Sequence, residues 1–507
     1  MIIAMRLLMD SSSLRRLELM ELLNSSDNWW TVEEISLQLN CSVRSVKADI
    51  YYYNTFSSHS IKLVTSNHRG VKLILPVTFQ MESIYQEIIA ENINSQMIEC
   101  LYQEKMNSIE EYADHLFTST SSIIRSIKHI DLFLRNYKLT VQKNPMRIIG
   151  TEKQIRYFFG FFFWEKYGAK INGTVLPNFN EVNRIIQKLE ERTNLVLSPI
   201  RENRLSICLL ICFERISKGY ILQQYTAPVE VNKTILEIIE DLIKDIPLNI
   251  PKQEIEFIGF YFANRFLDMP PQLNRLSEEL RTVFQRINQF LTEFSEKNHF
   301  IIPNKGVVQR SIFHYAVYKR EFRGCDYFLV NRTENTLLNI DKIYHPFIKL
   351  VISEVEGWTD SGWKTEVSDE INELLYLLII QWEGLTAQLL QMQKKTSVLV
   401  ISQFGKAHEL FLADILKSYF PNELICYSLA EKKFQNLEIE IVVTDTKLDA
   451  VQKNIPKEVP VIGIEYMPNE RNWHTIRSAL IDRKKANNKT ATVEMIRLLL
   501  NEDRDMV

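Results

Sequence analysis

Apolar positions along this chain follow two periods, and the alternation between them marks out the elements. Between residues 14 and 56 they recur three and four apart, so LRRLELMELLN, TVEEISLQLN and SVRSVKADIYYYNTF each read as an amphipathic helix. Thr31 followed by Glu34 predicts a capping box for the second helix, the hydroxyl taking a helix-start N–H and the carboxylate reaching back. Asn40-Cys41-Ser42 makes a turn and Ser42 is placed to cap the third helix, with Val43, Val46 and Ile50 inward and Arg44, Ser45 and Lys47 outward. The stretch IKLVTSNHRGVKLIL then reads as two short strands joined around Asn67 to Gly70, a β-hairpin. Three helices and a hairpin in that order predict a winged helix-turn-helix.

The same order recurs. Ser108 with Glu111 repeats the capping box ahead of IEEYADHL, and a turn rich in Ser and Thr leads into SSIIRSIKHIDLFLRN. Ile124-Arg125-Ser126-Ile127-Lys128 matches Val43-Arg44-Ser45-Val46-Lys47 position by position, and KLTVQKNPMRIIG returns the hairpin with Asn144-Pro145 at its tip. Two such modules in tandem carry more weight than either alone.

From about 172 to 393 the helical period dominates, in two parallel series. NEVNRIIQKLEERTNL, RLSICLLICFERISKGY, KTILEIIEDLIKDI and EIEFIGFYFANRFLD make the first. SEELRTVFQRINQFLTEFSEKN, VVQRSIFHYAVYKREFRG, YHPFIKLVISEVEGW and SDEINELLYLLIIQWEGL make the second. Gly219 after Arg215, and Gly324 after Lys319 and Arg320, suit C-terminal caps with a cation near the negative end of the helix. After Lys394-Lys395 the strands VLVIS, LICYS, IEIVVTD and VPVIGI alternate with helical or loop segments, predicting a small α/β domain with a parallel sheet. Its first strand-to-helix loop, Ser402 to Lys406, offers backbone N–H groups at a helix start, where an anion could sit. Asp445 ends a strand as a receiver phosphoacceptor would, but Ser402-Gln403 supplies none of the paired carboxylates a receiver needs.

Charge changes the picture locally. In total, 60 basic residues face 63 acidic ones, so no overall polyelectrolyte character points to a partner. From Arg44 to Lys72, however, five Lys and Arg stand against one acid, and from Ser121 to Arg156 eight stand against two. That is the footprint expected of helices and hairpins meant for a phosphate-lined groove. The residues assigned to DNA are Arg44, Ser45, Lys47, Lys62 and Arg69 in the first module, and Arg125, Ser126, Lys128 and Lys143 in the second. The longest apolar runs, Tyr157 to Trp164 and Leu374 to Trp382, fall short of the ~20 residues that span a bilayer. Arg6 and Asp10 break the apolar start MIIAM, so no secretory leader is expected. Six scattered cysteines make no disulfide framework, and Cys208 with Cys212 lacks the further ligands of a zinc site. No catalytic constellation, metal site or cofactor is expected, and the chain reads as a reducing-compartment, cytoplasmic protein.

SVRSVKADI, SSIIRSIKHID, the SIFHYAVYKREFRG helix and the VLVISQFGKAHEL loop, in that order, resemble the Mga/AtxA-type regulators of Gram-positive bacteria over nearly the whole chain. The resemblance implies a mainly α, multidomain fold. Its parts are two winged helix-turn-helix modules (1–76 and 77–170), two helical-bundle PTS-regulation domains (171–285 and 286–394) and a C-terminal α/β EIIB-like domain (395–507). It also implies phosphorylation of regulatory-domain histidines by the sugar phosphotransferase system. His314, ten residues before Gly324, holds the place of the first such histidine; Leu209 holds the matching place before Gly219. The second places fall near Tyr261 and Leu377, and Ser402 stands where an EIIB enzyme carries its cysteine. The expected function is a DNA-binding transcriptional regulator, an activator of virulence or adaptation genes responding to carbohydrate status. Its expected partners are double-stranded DNA, a second copy in a homodimer and a phosphocarrier protein, with no membrane. The rival readings are a phosphotransferase-system component, disfavoured by the missing cysteine and sparse histidines, and an RNA-binding antiterminator, whose N-terminal module is all β.

Overall fold

The computed structural model describes residues 6, 8–56, 62–168, 179–193, 196–231, 233–244, 246, 248–266, 275–325, 327, 329–340, 342–357, 371–392, 395–421, 423–429, 439–447, 455 and 459–483. Ile61, the ends of several expected helices and the chain beyond Arg483 lie outside these residues. Two compact units divide the chain: Met1–Gln285 with Arg310–Arg332, and Arg286–Gln309 with Thr333–Val507.

The first unit begins with α1 (Ser11–Asn24), α2 (Val32–Gln38), α3 (Val43–Phe56) and the antiparallel hairpin β1 (Lys62–Ser66) and β2 (Gly70–Ile74), as the periods predict. Two helices not foreseen, α4 (Glu82–Glu91) and α5 (Ile93–Gln103), precede the second set. That set is α6 (Ile109–His115), α7 (Thr120–Leu134), β3 (Thr140–Lys143) and β4 (Met146–Ile149). The longest aromatic run forms α8 (Glu152–Tyr167), in which Tyr157, Phe158, Phe159, Phe161, Phe162 and Phe163 are all buried. Its middle is buried on every side, as in a core helix, while Glu152, Arg156 and Lys166 toward its ends make ion pairs; among the described residues no helix is long and apolar enough to cross a membrane. Four more helices follow, α9 (Phe179–Thr193), α10 (Pro199–Ser217), α11 (Lys233–Ile243) and α12 (Lys252–Phe266). Helix α13 (Glu278–Lys297) and α14 (Lys305–Glu321) both run through the division between the units.

Both expected glycine caps have positive φ, +83° at Gly219 and +96° at Gly324. Gly324 has a second reason to be glycine, because a Cβ there would lie 2.3 Å from the Tyr137 ring. The cation near the end of α10 serves a different purpose from the one its spacing suggests. Arg215 is buried and bonded to Glu152 (2.7 and 2.9 Å) and Glu104 (3.2 Å), so it ties helices together rather than meeting the end of its own.

The second unit holds α15 from Thr333 on (the helix spans Arg332–Asn339), α16 (His345–Glu356), α17 (Ile371–Gln381) and α18 (Leu385–Met392). Phe294, Phe300, Phe347 and Trp382 pack ring against ring, and the Trp382 indole N–H donates to the Ile301 carbonyl at 2.9 Å. The α/β part has the four expected strands, β5 (Thr396–Ile401), β6 (Leu424–Ser428), β7 (Ile441–Thr444) and β8 (Val461–Gly463). All pair in parallel, in the order β6-β5-β7-β8. Helix α19 (Lys406–Tyr419) and a helix covering 470–483 close one face of the sheet over Val398, Val400, Ile441 and Val443.

Candidate nucleic-acid interface

The two modules repeat at one constant spacing. Thr31 caps α2 and Ser108 caps α6 (31 to 108, a step of 77), each accepting the N–H of the Glu three residues on. Past those helices, Asn40 and Phe117 both adopt a left-handed conformation (φ 46° and 50°), and Ser42 and Ser119 then cap α3 and α7. The inward faces match as well: Val46, Asp49, Ile50 and Tyr53 are buried in α3, and Ile123, Ser126, Ile127 and Ile130 in α7. Every pair keeps the step of 77. The motif echo SVRSVK against SIIRSIK keeps a step of 81, one helical turn too far.

That difference corrects one assigned residue. Ser126 is the counterpart of Asp49, not of Ser45, and is only 6% exposed, facing the core of its own module. The counterpart of Ser45 is Ser122, and both backbone N–H groups are held by the capping serine. Arg44, Lys47, Lys62, Arg69, Arg125, Lys128 and Lys143 are all exposed, and Ser45 is half-buried. Asp49, the one acid counted against the first basic stretch, is spent internally. Arg15 of α1 grips its carboxylate at 2.6 and 3.1 Å, and Arg16 adds a third contact at 3.4 Å. The second capping box is also incomplete, because the Glu111 carboxylate accepts the N–H of Asn107 rather than that of Ser108.

A pair of residues missed in the sequence fixes each hairpin to its helix. The Asn54 amide bonds both the N–H and the carbonyl of Leu63 (3.1 and 3.0 Å), tying α3 to β1. At the same step of 77, Asp131 accepts the Val141 N–H at 2.9 Å and the Thr140 hydroxyl, tying α7 to β3. These bonds, with help from Arg135, hold the Asp131 carboxyl below its usual range although burial opposes them. Asn and Asp at equivalent places in two basic helices were the available signal. In the first module Trp30 adds a backbone bridge to Val71, and Gly70 (φ +94°) lets that bridge form, since a Cβ would sit 2.1 Å from the Trp30 carbonyl oxygen.

The second hairpin is also fastened to the helices behind it. Arg147 of β4 donates to the Tyr220 hydroxyl at 3.1 Å, which in turn donates to Glu104 at 2.5 Å. Glu104 bonds Arg215; Arg215 bonds Glu152; and Glu152 bonds Arg156, whose guanidinium meets the fully buried Glu254 at 2.5 and 3.0 Å. Burial and the Glu104 carboxylate push the Tyr220 phenol up.

Two sites outside the modules were singled out by sequence. In the loop after β5 the backbone donors from Ser402 to Gly405 already have partners, Ser402 N–H meeting Glu409 at 3.4 Å. The Asp445 carboxylate accepts the Ser402 hydroxyl and the Gln403 N–H (both 2.9 Å), Phe404 N–H bonds Ser402 Oγ at 3.1 Å, and Gly405 N–H bonds the Ser402 carbonyl at 3.2 Å. His408 Nδ1 lies 2.8 Å from Ser402 Oγ and 3.2 Å from Asp445. A carboxylate of the chain itself therefore takes two of the donors that an incoming anion would meet, the Ser402 hydroxyl and the Gln403 N–H. His314 is half-buried on α14. Of its sequence neighbours, Lys319 donates to the Gly324 carbonyl at 3.3 Å and Arg320 pairs with Glu279 at 3.3 Å; Arg310 stands one helical turn before it. Leu209 and Tyr261 are both buried.

Comparison with known proteins bears on the same modules. Residues 11–69 match the helix-turn-helix domain of the M protein trans-acting positive regulator, and residues 77–163 match the Mga helix-turn-helix domain. A protein of Streptococcus pneumoniae serotype 4 described as a trans-acting regulator is 23% identical over 451 residues, covering 86% of this chain and 91% of that protein. The capsule synthesis positive regulator AcpA of Bacillus anthracis is 22% identical over 506 residues (92% of this chain, 99% of that protein). The anthrax toxin expression trans-acting positive regulator of the same organism is 20% identical over 501 residues (93% and 98%).

Proposed function

We propose how this Mga/AtxA-family trans-acting regulator, a DNA-binding transcriptional regulator, engages its duplex and is controlled. Helices α3 and α7 each enter a major groove, with Arg44, Ser45 and Lys47 on the first and Arg125 and Lys128 on the second. The hairpins lay Lys62, Arg69 and Lys143 against flanking phosphates. The observation that carries this reading is the step of 77, kept from the caps through the left-handed turn and the buried face to the residues pinning each hairpin. Two helices held in one geometry, each with exposed cations, suit two grooves of one duplex.

Binding should be measured against salt, with a duplex that the protein itself enriches from random-sequence DNA and with a folded RNA hairpin. Duplex preference is expected, and each phosphate contact removed by alanine should flatten the log–log salt slope by about 0.9. Unchanged binding with Arg44, Lys47, Arg125 and Lys128 all replaced, or a preference for the RNA, would overturn the reading.

The rest of the chain, in this proposal, reports carbohydrate status and builds a homodimer in the cytoplasm, making the protein an activator of virulence or adaptation genes. The two helical segments act as PTS-regulation domains. His314 is the candidate acceptor of phosphate from a phosphocarrier protein, and the α/β domain is an EIIB relative kept for assembly. The loop at Ser402 supports that last role, since the Ser402 hydroxyl and the Gln403 N–H already serve Asp445. Alanine and aspartate at His314 should each alter the response of transcription to a preferred sugar; two wild-type responses would remove His314 from the account.

A further inference from the structure

In the structural register the two groove-facing helices differ in chemistry turn by turn. Counting from the capping serines, the second and fifth helical positions are Arg44 and Lys47 in α3 but Ser121 and Ile124 in α7. The sixth and ninth positions reverse the contrast, Ala48 and Tyr51 in α3 against Arg125 and Lys128 in α7. Ile124 is 44% exposed although the buried face of α7 runs through Ile123, Ile127 and Ile130 beside it. The turn before the helix changes in the same direction. Phe117 is 97% exposed and left-handed where the first module has Asn40, although a bulky side chain is a poor occupant of that conformation. Neither apolar residue is needed to close the core of its module.

The first turns of such a helix meet base edges, while later positions lie nearer the backbone. The major groove offers one apolar group, the C5 methyl of thymine, and branched or apolar side chains read it. Guanine instead offers two acceptors to an arginine fork. Resting on the two-groove reading above, we propose that the modules read different chemistry: Ile124 packs on a thymine methyl, with the Ser121 hydroxyl beside it, whereas Arg44 bonds the acceptor edge of guanine. Arg125 and Lys128, one turn later, hold phosphates and carry no sequence information.

The test replaces each thymine of the enriched duplex, one at a time, by deoxyuridine, which removes only the methyl. One or two positions should weaken binding of the parent protein by about fourfold, the factor for one buried methyl. In Ile124→Ala those positions should lose their effect, while thymines elsewhere behave as before. Arg125→Ala should weaken binding at every position and flatten the salt slope without changing the deoxyuridine pattern. Melting of the Ile124→Ala protein should match the parent, since the side chain is exposed and alanine favours helix. A duplex bound with the expected salt slope but indifferent to every deoxyuridine, or a deoxyuridine effect that survives in Ile124→Ala, overturns this inference alone. Failure to enrich any duplex overturns the two-groove reading and this inference with it.

Discussion

Replacing Glu254 by Gln tests how firmly the second helix-turn-helix is joined to the helices behind it. Glu254 is fully buried, its oxygens meet the Arg156 guanidinium at 2.5 and 3.0 Å, and one of them also accepts the Leu222 N–H at 2.7 Å. Arg156 is itself buried, so without the carboxylate its guanidinium keeps the Glu152 carboxylate and the Tyr220 carbonyl, both at 2.9 Å. Removing one partner of a buried pair costs about 3–5 kcal/mol, because the other is left charged in a low-dielectric interior. Gln can still accept from Leu222, and Glu152 remains, which places the cost near the lower end, about 3 kcal/mol. At roughly 2–4 °C per kcal/mol for a large unit, the first unfolding transition should fall by about 6–12 °C. The assay is thermal unfolding of the full chain followed by circular dichroism. Arg156→Met together with Glu254→Leu should be less damaging than Glu254→Gln alone, since neither charge is then stranded. A Glu254→Gln protein melting within a degree of the parent, or a double variant losing as much as both single variants summed, would refute the argument.

Gly70→Ala should cost about 1–3 kcal/mol from its left-handed backbone alone, and the clash with the Trp30 carbonyl should loosen the first hairpin, read as faster proteolysis near Arg69. Asp10 caps α1 through the Ser12 and Ser13 N–H groups; burial resists its charge, but those bonds and the two serine hydroxyls lower its pKa from 3.8 to about 2. The cap therefore stabilises the fold fully above pH 3.8, and its contribution is lost as pH falls through 2. Asp10→Ala should cost about 1 kcal/mol at neutral pH, with the gap to the parent closing in acid. Asp445→Ala should cost about 1–3 kcal/mol and free the loop donors, so inorganic phosphate should raise the melting temperature of that variant more than the parent's.

Elements with strong periodicity were legible in the chain: both helix pairs, both hairpins and all four parallel strands. Helices α4 and α5 were not recognised between the modules, although Ile84, Ile88 and Ile89, then Met97, Ile98 and Leu101, are buried at helical spacing. The two basic stretches were legible in composition, but the register of the two modules was not. Arg-Ser and Lys recur at a step of 81, and that likeness outweighed the buried positions, which alone report the phase of a helix against its core. Asn54 and Asp131 escaped notice because a polar residue near a helix end usually faces water, and only the hairpin's return gives it a partner. The partners of Arg215 and Arg156 escaped for a related reason, since they lie up to 111 positions away along the chain.

The central claim is that both modules occupy the same duplex at once, and hydroxyl-radical footprinting on the enriched duplex tests it most directly. The parent should protect two tracts separated by about one helical turn or a multiple of it, spanning more than two turns in all. Arg44→Ala with Lys47→Ala should erase one tract, and Arg125→Ala with Lys128→Ala the other. A single tract no longer than one module covers, or one that both pairs of substitutions weaken alike, would contradict the account.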